Sequence, residues 1–205
     1  MPVPLPILEA KLNEARSYYP YMERSMRLRG GILQHGLRKN PAAPCGDDYT
    51  YRYKRSVWRC HVRVTASEMR THAMLWWQHG TKKYPDTALD AIVLRGSDMP
   101  LHFDSHFFSR WGLRSDLMGV MLTNMMGFFK QYPQLAMRQS KPFYDKQPEF
   151  AAALAQGMVF GRRNGKRIIS CDTFKSLEML SPEERILWER LAPRTTGPVA
   201  GEGNG

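Results

Sequence analysis

A chain of 205 residues, 42% of them hydrophobic, can bury a core as one domain or two small ones and is too apolar to stay disordered. Thirty Lys and Arg against nineteen Asp and Glu give a net charge of +11 and a pI near 9.8, a balance that attracts polyanions, nucleic acid first. The longest strongly apolar run, Leu117 to Phe129, falls short of the roughly 20 residues of a membrane span. The N-terminus carries no basic stretch followed by an apolar one, so no secretory signal is expected. Cys45, Cys60 and Cys171 lie far apart without a CxxC pair and read as free thiols of a cytoplasmic protein.

Residues 1–7 alternate proline with apolar residues and predict an extended lead-in. Leu8, Leu12 and Ala15 predict a short amphipathic helix that Pro20 ends, and residues 21–28 predict a second helical piece. Gly30, Gly31, Gly36 and the run from Lys39 to Asp48 break the pattern. Residues 1–48 are therefore expected to be an N-terminal helical arm or small subdomain, residues 49–192 an α+β core domain, and residues 193–205 a disordered tail.

From Tyr49 to Thr65 the chain alternates with period two, predicting two strands that turn near Lys54 to Ser56. Tyr49, Tyr51, Tyr53, Trp58, Cys60, Val62 and Val64 fall on one side. Arg52, Lys54, Arg59, His61 and Arg63 fall on the other. An ordinary solvated face mixes signs, whereas a stripe of one sign suits a phosphate backbone. Thr65 and Glu68 have capping-box spacing and predict a helix to about His79, with Met69, Ala73, Trp76 and Trp77 on its apolar side. His72 and His79 fall seven apart on that helix and suggest neither metal nor catalysis. Ala88 to Arg95 is apolar and short enough to be helix or strand.

The stretch Leu101 to Gln131 concentrates titratable residues at the start of the clearest amphipathic segment. His102 and His106 stand four apart, as on one helical face, but no motif supplies further ligands, so no metal and no cofactor is expected. His106, Arg110 and Arg114 repeat at i, i+4 and i+8, with Gly112 expected to break the helix before Arg114. Such a set can move a proton near neutral pH and stabilise charge on phosphate. Ser115 then caps a helix to residue 131, whose face is Leu117, Val120, Met121, Asn124, Met125, Phe128 and Phe129.

Residues 132–148 predict a basic, irregular connection and Glu149 to Ala155 a short helix. Met158 to Cys171 predicts a hairpin around a two-residue Asn164-Gly165 turn, pairing Arg163 with Lys166 and Arg162 with Arg167. Ser181, Pro182 and the acids Glu183 and Glu184 start a last helix that packs through Ile186, Leu187 and Leu191, widened by Trp188.

The expected fold is α+β, a small antiparallel sheet with a basic face packed against several amphipathic helices. Its strands come from 49–65 and 158–171 and its main helices from 65–79 and 115–131. The leading functional expectation is a basic cytoplasmic nucleic-acid-binding protein for RNA or single strands, contacting its ligand through Arg52, Lys54, Arg59, His61 and Arg63 and through Arg162, Arg163, Lys166 and Arg167. One alternative is a metal-independent, toxin-like ribonuclease with His106 as acid or base and Arg110 or Arg114 on the phosphate. The other is an assembly protein that docks a partner through its Met-rich helix.

Overall fold

Helix α1 (Leu5–Lys39) runs unbroken through Pro20 in a computed structural model that describes residues 3–81, 84–95, 98–114, 121–132, 135–140 and 150–192. The expected break at Pro20 does not occur because the buried stripe Leu8, Leu12, Ala15, Met22 and Met26 continues across it. Pro20 and Arg16 are both exposed, so the carbonyl that proline leaves without a donor lies on the hydrated side.

Two antiparallel meanders follow. The first comprises β1 (Gly46–Tyr53), β2 (Ser56–Val64), β3 (Met69–Thr81), β4 (Tyr84–Arg95) and β5 (Asp98–Phe103). The second comprises β6 (Arg138–Gln139), β7 (Phe150–Leu154), β8 (Gly157–Asn164) and β9 (Ile168–Ser176). They fuse where β5 and β9 pair in parallel, Leu101 opposite Ile169, giving one nine-stranded sheet ordered β1-β2-β3-β4-β5-β9-β8-β7-β6. The class is α+β, but the sheet is large and mixed rather than small and antiparallel.

Two segments expected as helices are strands. Thr65 Oγ1 does accept from the Glu68 backbone N–H at 2.9 Å, but the pair closes the β2–β3 turn, and the Glu68 carboxylate takes Arg70 instead of reaching back. In β3 both faces are covered. Ala73, Leu75 and Trp77 meet the core under α1, while Met74 and Trp76 meet the opposite core, so apolar residues fill both parities and mimic a helical stripe. In the segment expected as a helix over 149–155, Phe150–Leu154 likewise form β7, with Phe150, Ala152 and Leu154 in one core and Ala151 in another.

Helices α2 (Ser105–Arg114) and α3 (Met121–Gln131) cover one face of the sheet. Phe103 of β5 lies at their centre, fully buried, with its ring 5.0–5.9 Å from those of Phe107, Phe108, Phe128 and Phe129. Each buried ring contributes about 2–3 kcal/mol, and favourable aromatic pairs add about 0.5–1.5 kcal/mol. Gly112 does not break α2. A Cβ there would stand 2.1 Å from Asn124 Nδ2, so the glycine permits α2 and α3 to cross closely. Asn124, Met125, Phe128 and Phe129 are buried as expected, whereas the proposed cap at Ser115 and the first turn of that helix, through Val120, lie outside the described residues.

On the other face α1 packs over β1–β4, and α4 (Pro182–Leu191) packs over β7 and β8. Ser181 caps α4 through a complete capping box with Glu184. Leu187 is its buried anchor and Trp188 donates Nε1–H to the Leu154 carbonyl at 2.8 Å, whereas Ile186 is 66% exposed rather than part of the packing face. The expected tail at 193–205 lies outside the described residues. Among the described residues no helix is long and apolar enough to cross a membrane.

None of the three cysteines is in a disulfide, Cys45 being exposed and Cys60 and Cys171 buried, and burial pushes the Cys60 thiol up to about 12. A thiol reagent at about pH 8 is therefore expected to titrate one group per native chain and three after denaturation, because only an accessible thiolate reacts. Rapid labelling of three groups in the native protein would contradict this packing.

Candidate nucleic-acid interface

The antiparallel registers place Arg52, Arg59, His61 and Arg63 on the face of the sheet that carries α2 and α3, opposite the α1 core. Reading β3 as a strand extends that group. His72 is the direct cross-strand partner of His61, and Arg70 that of Arg63. Asp48 on β1 also stands opposite His61, with Oδ1 2.6 Å from His61 Nδ1, so the stripe is not of one sign.

Between this surface and α3 lie two cavities, of about 540 and 270 Å³. The larger is bounded by Arg63 and Arg70, by Tyr132 after α3, and by Arg138 and Ala152 to Leu154 from the far end of the sheet, which therefore curls around α3. The smaller lies between Asp48, Arg59 and Met74 on the strands and Phe129 and Lys130 on α3. Among the described residues, His61 and His72 line both. The walls carry, among the described residues, Arg63, Arg70 and Arg138 on one side and Arg59 and Lys130 on the other, against the carboxylate of Asp48. The His72 ring also stacks on Phe129 at 5.5 Å. Burial raises the pKa of Tyr132, whose hydroxyl donates to Gln156 Oε1 at 3.2 Å.

Several expected contacts lie elsewhere. Lys54 sits in the β1–β2 turn at φ 51°, not on the strand face, and its ammonium lies 5.2 Å from the Tyr18 ring of α1. The β8–β9 hairpin forms, but its loop is Gly165, Lys166 and Arg167, so Asn164 pairs with Ile168, Arg163 with Ile169 and Arg162 with Ser170. Gly165 alone takes the positive φ, at 65°, so the two-residue turn and its pairing of four cations do not arise. Arg162 bonds Asp172 at 2.7 Å, Arg163 lies 5.9 Å from the Phe150 ring, Lys166 is exposed, and Arg167 borders a small cavity with Leu8 and Glu9 of α1. Hairpin tip and cleft are thus on different sides of the sheet.

His102 belongs to β5 and Asp104 receives the Phe107 backbone N–H at 2.8 Å at the start of α2, so His102 and His106 share no helical face. His106 is exposed, Arg110 donates from Nη1 to Thr173 Oγ1 at 3.2 Å, and burial, with Arg110 nearby, lowers the Arg114 pKa. These three share one side of α2, and none of them lines the two cavities.

No protein-family model, curated protein or solved structure significantly matches this chain.

A second polar group, not foreseen in the sequence, crosses the centre of the sheet on the α1 side. Asp90, 1% exposed, accepts from His79 Nε2 at 2.8 Å and lies 3.6 Å from His102 Nε2. His102 Nδ1 is 3.2 Å from Ser170 Oγ, which accepts from Asn164 Nδ2 at 3.1 Å. The Trp77 ring stacks over His102 at 6.2 Å. Nearby, burial raises the Asp172 pKa and Asp104 adds to the rise, against the opposing charge of Arg162. The signal was the lone acid in ALDAIVLR: if that segment is a strand, Asp90 points away from Leu89 and Ala91 and needs a buried partner.

Proposed function

We propose that the chain binds single-stranded nucleic acid, RNA in preference to duplex DNA, in the cleft between β2–β3 and α3. The observation that carries this reading is the pair of cavities joined at His61 and His72, whose walls, among the described residues, hold five Lys or Arg side chains, Arg70 of them paired with Glu68, against the carboxylate of Asp48. Guanidinium groups suit phosphate, and the half-buried Tyr132 ring offers a base a surface to pack on, with Met74 and Phe129 buried beneath the cleft. A curled sheet closed over by a helix admits one strand more readily than a duplex. A cytoplasmic location is part of the same proposal.

The test is fluorescence anisotropy with a labelled single-stranded oligodeoxynucleotide across a salt series. Affinity should fall steeply between about 50 and 200 mM salt, and Arg59→Glu combined with Arg63→Glu should weaken binding more than about tenfold and flatten the salt slope by about two. Lys54→Glu, in the turn against α1, should leave binding nearly unchanged. Salt-insensitive binding, or equal losses in both variants, would reject the cleft as the interface.

A further inference from the structure

We propose that this cleft also cleaves the RNA it holds, by transesterification at a phosphodiester seated over His61 and His72; the inference rests on the binding reading above. The two histidines are direct cross-strand partners on one face, which sets their Cβ atoms about 4.5–5.5 Å apart. Among the described residues they also line both cavities, so a strand that fills both lobes carries one backbone phosphate across the pair, with a nucleoside on each side.

The surroundings assign roles. Asp48, 2.6 Å from His61 Nδ1, holds the proton on that nitrogen and leaves Nε2 as the base; Asp48 is a positioning residue. Arg59 and Arg63, two residues to either side of His61 on the same face, flank it where they can stabilise the charge that develops on the non-bridging phosphate oxygens. His61 Nε2 takes the proton of the 2′-hydroxyl, and the O2′–P bond forms as the P–O5′ bond breaks. The departing O5′ receives its proton from His72, which acts as the acid. The products are a 2′,3′-cyclic phosphate and a 5′-hydroxyl, and the step consumes no further reactant. A strand lacking the 2′-hydroxyl binds but cannot react.

The experiment incubates the full chain in EDTA with labelled single-stranded RNA and with the all-deoxy strand of the same sequence, following binding and length together. RNA should be shortened to fragments ending in cyclic phosphate while the deoxy strand is bound intact. His61→Ala and His72→Ala should each slow cleavage by about 10²- to 10⁴-fold, a usual contribution of one acid or base, a far larger loss than any change in affinity for the deoxy strand. His61→Gln and His72→Gln, closer in volume, repeat the test should either alanine variant lose its thermal transition. Asp48→Asn should lower kcat with KM nearly constant. Binding of the deoxy strand without RNA cleavage overturns this inference and leaves the binding reading standing; failure to bind either strand overturns both. Cleavage that survives in the His61 and His72 variants but is lost in His106→Ala overturns it in favour of the set on α2.

Discussion

Gly157→Ala is expected to lower the stability of the protein by about 3 kcal/mol or more, which for a chain of this size is roughly 6–12 °C in Tm. Gly157 opens β8 after the two-residue turn Ala155-Gln156 and has φ +153°, a backbone conformation that side chains rarely adopt. A Cβ there would stand 2.0 Å from the Lys175 carbonyl oxygen and 2.9 Å from the Ser176 Cα. Both atoms belong to the backbone of β9, so relief requires β8 and β9 to separate, and no rotamer change suffices. Gly112→Ala offers the contrast. Its Cβ meets the Asn124 amide, a side chain that can swing aside, so the cost is expected nearer 1–2 kcal/mol. Thermal melts of the two variants decide the matter, and a Gly157→Ala protein as stable as the parent would mean that β8 does not approach β9 this closely at Gly157.

Asp90→Leu is expected to cost about 2–4 kcal/mol, because it strips a buried acceptor from one histidine and leaves another facing hydrocarbon. Asp90 is 1% exposed, whereas His79 retains 35% of its side-chain surface and can turn to water. His102 has no such escape: it is 5% exposed and its Nε2 faces Asp90 at 3.6 Å with no closer partner. Asp90→Asn keeps an acceptor in place and should lose about 1 kcal/mol or less. Denaturant unfolding of both variants gives the comparison. A leucine variant more stable than the asparagine variant would mean that the polar group is maintained at the expense of stability.

How much of this was legible in the chain depended on how many surfaces each segment buries. β2 has one covered face, so WRCHVRV alternates cleanly and its inward and outward sides follow from the letters. β3 and β4 are covered on both sides, which erases the period-two signal, and a capping-box spacing at Thr65 then favoured a helix that does not form. That error hid half of the cleft, since Arg70 and His72 join Arg63 and His61 only when β3 is a strand. Pro20 misled for the opposite reason. Local geometry argued for a break, but a long apolar stripe packed on the sheet outweighs the loss of one backbone bond. Arg138 and Ala152 reach the cleft only because the sheet curls, a property of the whole fold that no local pattern encodes. The signals that held were those satisfied within a few residues: the Ser181 cap and the β1–β2 turn.

The parallel seam between β5 and β9 has a consequence for the order of assembly. It joins residues 68 positions apart, as His102 and Ser170 show, whereas the strands on either side of it pair mainly with sequence neighbours. A ribosome delivers α1 and the first five strands well before β9 exists, and α1 with β1–β4 forms a core to which β9 adds Ile168. β5 must then wait as an open edge until the second meander is synthesised, and closing so long a loop is the slowest kind of contact a chain makes. Until it closes, His102 lacks Ser170 and β5 offers its unpaired backbone to any neighbouring strand. Late synthesis is thus the interval in which this protein is most exposed to aggregation, and holding the first meander on its helix is the safeguard that α1, made first, is placed to supply.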